Sequence, residues 1–312
     1  MSFSIEVKEE ITRNEYTLAE KKVFLSAVAK INGVLRMSNR SLMLDIRTEN
    51  AKTAKLLFLI IQELYEQDSR LLVFKKAKLK KNNVYIVQIR NQVDKIMEDL
   101  EIRKEGELEP LPSKTLINNE DTTRAYLAGC FIASGSINSP KSKNYHLEIS
   151  THSQKHAEFI NKTISKFDLN PKTIKRRNNY VIYLKRSEEI SDMLKLLKAN
   201  NSLLKFEDER ITKDYFNFNN RLNICEVFNE VKTIETANRQ IKEISLIMGN
   251  GKDYLLDKKD KIIAEIRMNN PEANLQELAD IYIENTGESI SKSGINHRLR
   301  KMSEIAREIK SK

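Results

Sequence analysis

The 312 residues include only two cysteines, Cys130 and Cys225. Two thiols so far apart make neither a disulfide framework nor a zinc site, and neither suggests redox work. Long apolar runs are also missing. No stretch approaches the roughly 18 residues of a membrane span, and Met1-Ser2-Phe3-Ser4-Ile5-Glu6 lacks the basic and apolar regions of a signal peptide. The expected place is the cytoplasm, with no membrane partner. There is no glycine-rich phosphate loop and no nucleophile elbow. His152 and His156 stand four apart, read as one helix, but Ser153 replaces the glutamate of a metalloprotease helix, and no metal or other cofactor is expected.

Acid is the charge in short supply. Against 54 Lys and Arg stand 44 Asp and Glu, giving a net charge of +10. Residues 1 to 200 hold 35 basic and 25 acidic side chains, whereas residues 201 to 312 hold 19 of each, so the whole excess lies in the first part. A field of this sign favours a polyanion, and nucleic acid is the commonest one in a cytoplasm.

The chain is organised around Leu127-Ala128-Gly129-Cys130-Phe131-Ile132-Ala133-Ser134-Gly135. The spacing predicts a buried helix that starts on Asp121-Thr122-Thr123 and ends on Gly135 with a positive φ. Its small residues permit another helix to approach backbone to backbone. Leu25-Ser26-Ala27-Val28-Ala29-Lys30-Ile31-Asn32-Gly33 has the same build, with Thr17 and Glu20 as a capping box.

This pair resembles the central helices of the LAGLIDADG homing-endonuclease fold, in which each helix carries a metal-binding acid just before its last glycine. The matching positions here hold Asn32 and Ser134, neither of them a carboxylate. The resemblance is therefore to the fold and not to the cutting chemistry. It points to the WhiA family of bacterial regulators, which join a degenerate domain of this kind to a C-terminal helix-turn-helix.

The order of elements repeats. After Gly33 come a strand at 41–47, a helix at 51–65 and a hairpin formed by 70–75 and 84–90. After Gly135 come a strand at 145–150, a helix at about 153–167 and a hairpin from 173–175 to 180–184. Lys80-Lys81-Asn82-Asn83 and Arg176-Arg177-Asn178-Asn179 occupy matching turns. The segment 101–121 joins the halves, kept irregular by Pro110 and Pro112. Glu207-Asp208-Glu209 reads as a second link, followed by a helix over about 225–248 carrying Ile234, Ile241, Ile244 and Met248.

The last part reads as three helices, over about 258–268, from Asn274 with its capping partner Glu277, and from Ser291. In the third, Ile295, Leu299, Met302, Ala306 and Ile309 form the inward face. Lys292, Ser293, Asn296, His297, Arg298, Arg300 and Lys301 remain at its start and on its outer sides, as in a recognition helix. The run Ser291-Lys292-Ser293-Gly294-Ile295-Asn296-His297-Arg298-Leu299-Arg300-Lys301 carries the resemblance to the WhiA family most specifically.

The fold expected is α+β. A pseudo-twofold αββαββα domain spans residues 1–200 (repeats 17–100 and 121–200), a connector with a helix spans 201–256, and an all-α helix-turn-helix spans 257–312. The resemblance implies a non-enzymatic, sequence-specific transcription factor of cell division, and of sporulation in spore-forming relatives. Double-stranded DNA is its implied partner, beside other transcription or cell-division proteins. Arg298 and Asn296 are expected at base edges, with Arg300, Lys301, Lys80, Lys81, Arg176 and Arg177 on phosphates. A metal-dependent nuclease and a non-specific nucleoid protein are the competing readings.

Overall fold

The computed structural model describes residues 2–38, 41–66, 69–75, 83–104 and 106–311. Two compact units divide the chain, Met1–Lys213 and Asp214–Lys312.

Two helices centre the first unit, α2 (Leu18–Asn32) and α5 (Glu120–Ser134), numbered after a short helix α1 (Phe3–Ile11) and two later ones. The expected Thr17–Glu20 box caps α2. Helix α5 starts two residues earlier than expected, on Asn119, whose side chain accepts from the Thr122 N–H at 2.8 Å while Thr122 answers as its capping partner. Both helices end without a left-handed residue: Gly33 and Gly135 have φ of −73° and −65° and lead straight into strands. Space, not φ, requires glycine there. A Cβ on Gly135 would lie 2.4 Å from the Phe131 ring, and one on Gly129 would lie 2.5 Å from the Phe24 carbonyl oxygen of α2. The small residues therefore let α2 and α5 meet backbone to backbone.

Each helix opens one αββαββα repeat. The first continues with β1 (Gly33–Ser38), β2 (Ser41–Thr48), α3 (Ala51–Tyr65), β3 (Arg70–Lys75), β4 (Asn83–Ile89) and α4 (Val93–Asp99). A short ribbon, β5 (Arg103–Lys104) with β6 (Glu107–Leu108), precedes Pro110 in the joining segment, which was expected to be irregular throughout. The second repeat continues with β7 (Ser136–Ile137), β8 (Leu147–Thr151), α6 (Gln154–Ser165), β9 (Lys172–Arg176), β10 (Asn179–Leu184) and α7 (Ser187–Leu196). Both sheets are antiparallel with the same strand order, β1-β2-β4-β3 and β7-β8-β10-β9. Leu44, Ile46, Val87 and Ile89 of one sheet and Leu147, Ile149, Ile182 and Leu184 of the other join α2 and α5 in one core.

No link interrupts the chain at Glu207-Asp208-Glu209, because one helix, α8, runs from Asn200 to Gly249. Its sequence has no proline or glycine before that end, and its acids find partners. Glu207 pairs with Arg210 at 2.7 Å and Glu209 with Lys141 at 3.3 Å. Glu10 of α1 accepts from the N–H groups of Asn201 and Ser202 at 2.6 and 2.9 Å, closing the exposed start of α8.

In the second unit, Ile244 and Ile247 of α8 pack with three further helices, α9 (Lys258–Asn269), α10 (Leu275–Thr286) and α11 (Lys292–Lys310). Asn274 with Glu277 and Ser291 cap α10 and α11 as the spacing predicted. Ile295, Leu299, Met302 and Ala306 are buried, as read from the sequence.

Candidate nucleic-acid interface

Asn32 and Ser134 occupy the last turns of α2 and α5, the positions where the sequence resemblance would place acids. Asn32 donates its amide to the carbonyl of Ala133, at the end of the other helix, at 2.9 Å, and to that of Arg47 at 3.2 Å. Ser134 donates to the carbonyl of Ser150 at 2.6 Å and accepts from its N–H at 3.1 Å. Both side chains thus serve the backbone. Asn32 and Ala133 also line a cavity of about 810 Å³ shared with α1, Arg47 and the start of α3. Burial lowers the amine of Lys8, at its rim, to about 8, opposed by the nearby Glu49 carboxylate. Helix α1 was not read from the sequence, although the cap Ser2 and the buried Phe3, Val7 and Ile11 at four-residue spacing carry its signal.

The metal reading of the histidine pair fails locally. His152 precedes α6 and stays exposed, whereas His156 inside α6 is buried. The His156 ring bonds to the Tyr126 hydroxyl at 2.7 Å and to Thr151 at 3.2 Å. Burial, and then the charge of Lys30, lower its pKa to about 4, so it is neutral. Among the described residues no group of three or more His, Cys, Asp or Glu is placed to hold a metal.

On the outer face of the second sheet, Tyr183 and Glu148 are cross-strand partners. His146 stacks on the Tyr183 ring at 5.5 Å and bonds to Glu148 at 3.0 Å, while Lys185 lies over the same ring at 5.1 Å. None of these four was singled out beforehand, because their grouping depends on strand register. Arg176 reaches Glu148 at 3.7 Å with its side chain 69% exposed. Arg177 forms the adjacent turn, exposed, with φ of +55°, a region that disfavours any residue bearing a Cβ. The matching pair Lys80 and Lys81 lies outside the described residues. On the outer face of the first sheet, the buried Asp45 is held by Arg36 at 3.0 Å and Gln88 at 2.9 Å.

On α11, residues 293, 296, 297 and 300 recur at three and four, which puts them on one face opposite the core. Lys292, Ser293, Asn296, His297 and Arg300 are all exposed. Ser293 bonds to the cap Ser291 at 2.8 Å. Among the described residues no hydrogen bond or ion pair engages the side chains of Lys292, Asn296, His297 or Arg300.

Arg298 and Lys301 stand apart from that stripe. The Arg298 guanidinium donates to Asp260 at 2.6 Å and to Asp257 at 3.1 Å. Lys301 donates to Asp260 at 2.6 Å, and this bond is the main reason its pKa is raised. Asp260 is fully buried and also serves the capping box of α9. The expectation of Arg298 at a base edge thus meets a side chain tied inward, since a buried carboxylate without a cationic partner is costly.

The whole chain has counterparts among known proteins. Residues 19–103 match the WhiA N-terminal LAGLIDADG-like domain, 123–215 the WhiA LAGLIDADG-like domain, and 219–306 the WhiA C-terminal HTH domain. A probable cell division protein WhiA from Enterococcus faecalis is 42% identical over 312 residues, covering 100% of this chain and 99% of its own. Another, from Exiguobacterium sibiricum, is 44% identical over 314 residues, covering 100% and 98%. The crystal structure of full-length DUF199/WhiA from Thermatoga maritima superposes with a TM-score of 0.59 at 22% identity, covering 99% of each chain. The fold is shared with it.

Proposed function

The chain belongs to the WhiA family, and from that premise we propose that it is a sequence-specific DNA-binding regulator of transcription in cell division, acting on the nucleoid without catalysis of its own. The observation that supports this most is the exposed stripe Ser293, Asn296, His297 and Arg300, with Lys292 beside it. A helix fastened on one side and polar on the other fits a major groove, where Asn and Arg read adenine and guanine edges bidentately. Arg298 and Lys301 are assigned here to holding α11 on α9 through Asp260. The repeat unit is assigned phosphate contacts without base choice, through Arg176 and Arg177 and the matching Lys80 and Lys81. The exposure of Arg177 in the turn and of the Arg176 side chain, at 69%, supports this.

Hydrolysis of a phosphodiester needs anionic ligands around divalent ions, and Asn32 and Ser134 are neutral and already engaged. Duplexes enriched from a random pool by the full chain provide the test. One sharp motif supports a regulator; equal affinity for the motif and its scramble makes the protein architectural. Magnesium-dependent nicking that is lost on mutating Asn32 or Ser134 restores the nuclease reading. Neutralising Arg176 and Arg177 together is expected to flatten the slope of log affinity against log salt by up to roughly two units.

A further inference from the structure

From Asp214 to about Glu235, α8 leaves almost every side chain in solvent, including large apolar ones. Tyr215 is 63%, Phe218 61% and Leu222 47% exposed, and Cys225 is exposed as well. An apolar stripe that meets only water contributes nothing to holding a helix, whose stability comes mainly from packing. The spacing of three, four and three puts Tyr215 and Leu222 at the a positions of a heptad and Phe218 and Cys225 at the d positions. Arg221 then falls at g and Glu226 at e. In a parallel pair of helices, each g residue faces the e residue five positions on in the other copy, so Arg221 meets Glu226 on both sides.

We infer that this stripe pairs α8 with α8 of a second copy of the chain, as a parallel two-stranded coil. The opposite apolar face, with Ile224, Val227 and Val231, does not suit the same partner. Its frame would set Glu230 against Glu235 of the other copy. Two aromatic side chains from each helix, at 150–250 Å² apiece, bring the buried area to roughly 1,000 Å² with the leucines included, near the lower limit for a specific interface. An interface at this lower limit is expected to dissociate on the order of micromolar, and the pairing sets two C-terminal units side by side, as a twofold-symmetric DNA site requires.

Cys225 makes the test direct, because it lies in a d layer and Cys130 is buried. Mild oxidation of the full chain is expected to yield a disulfide-linked dimer that Cys225→Ser abolishes. Sedimentation of the reduced chain is expected to show Arg221→Glu weakening the dimer about tenfold, and Arg221→Glu with Glu226→Arg restoring it. Both side chains are exposed, and circular dichroism checks that the variants stay folded. A chain that remains monomeric at about 100 μM, far above a micromolar dissociation constant, and gives no Cys225-linked dimer, overturns the inference. So does a dimer that mild oxidation fails to link through Cys225, or one indifferent to both charge changes.

Discussion

The ends of α2 and α5 and the outer side of α11 carry similar polar side chains, put to opposite uses. Asn32 and Ser134 bond to the backbone of their own unit, whereas Asn296 and His297 remain exposed. A polar residue at a position where the sequence resemblance points to a catalytic acid is therefore not by itself a functional group. What its hydrogen-bonding atoms already touch decides what it can still do.

Packing gives the sharpest contrast between the two units. Gly129→Ala drives a Cβ into the Phe24 carbonyl, where no flexible side chain can yield, and is expected to cost about 3 kcal/mol or more in urea unfolding. At Gly294 of α11 the added Cβ meets side chains rather than backbone, Ile290 at 3.0 Å and the Ser291 hydroxyl at 3.5 Å. Gly294→Ala is expected to change stability by less than about 1 kcal/mol, because better helix propensity offsets the crowding. Equal losses at both sites would remove the contrast.

Titration probes the first unit next. The pKa of His156 falls from 6.5 to about 4 in the folded chain, chiefly through burial. Above pH 6.5 both folded and unfolded forms are neutral there. As pH drops from 6.5 to 4 the unfolded chain takes up the proton first, so stability is lost across that window, by up to roughly 3 kcal/mol. His156→Gln is expected to flatten the acid limb of a stability profile relative to the parent chain. Parallel profiles for parent and His156→Gln would mean that the ring is already charged when folded.

Putting an acid back is the subtler perturbation. Asn32→Asp removes the donor to Ala133 and Arg47 and sets a carboxylate against two carbonyls, for an expected loss of about 2 kcal/mol. Asn296→Asp on α11 is expected to stay within about 0.5 kcal/mol of the parent chain. Urea midpoints measure both, and an unchanged midpoint for Asn32→Asp would mean that the helix end relaxes to accept charge.

Local signals were legible in the chain itself. The Thr17–Glu20 and Asn274–Glu277 boxes, the helix at Ala51–Tyr65 and the order of the two repeats follow from spacing alone. Features set by distant residues were not. Arg298 looks free until Asp257 and Asp260, some 40 residues earlier, come to lie beside it. Strand β1, six residues starting on Gly33, shows its place only through pairing with β2. The acids at 207–209 read as a break because part of what holds them, Lys141 for Glu209 and Ser191 for Glu207, lies far away in sequence.

The assignment of base choice to the free face of α11 is tested most directly by paired titrations of the enriched duplex and its scramble at one salt concentration. Asn296→Ala is expected to narrow the gap between the two duplexes by about 1–3 kcal/mol, and Arg298→Ala to weaken binding to both alike by loosening α11. A gap that survives Asn296→Ala and collapses in Arg298→Ala would contradict the account, placing Arg298 in the groove and away from Asp260.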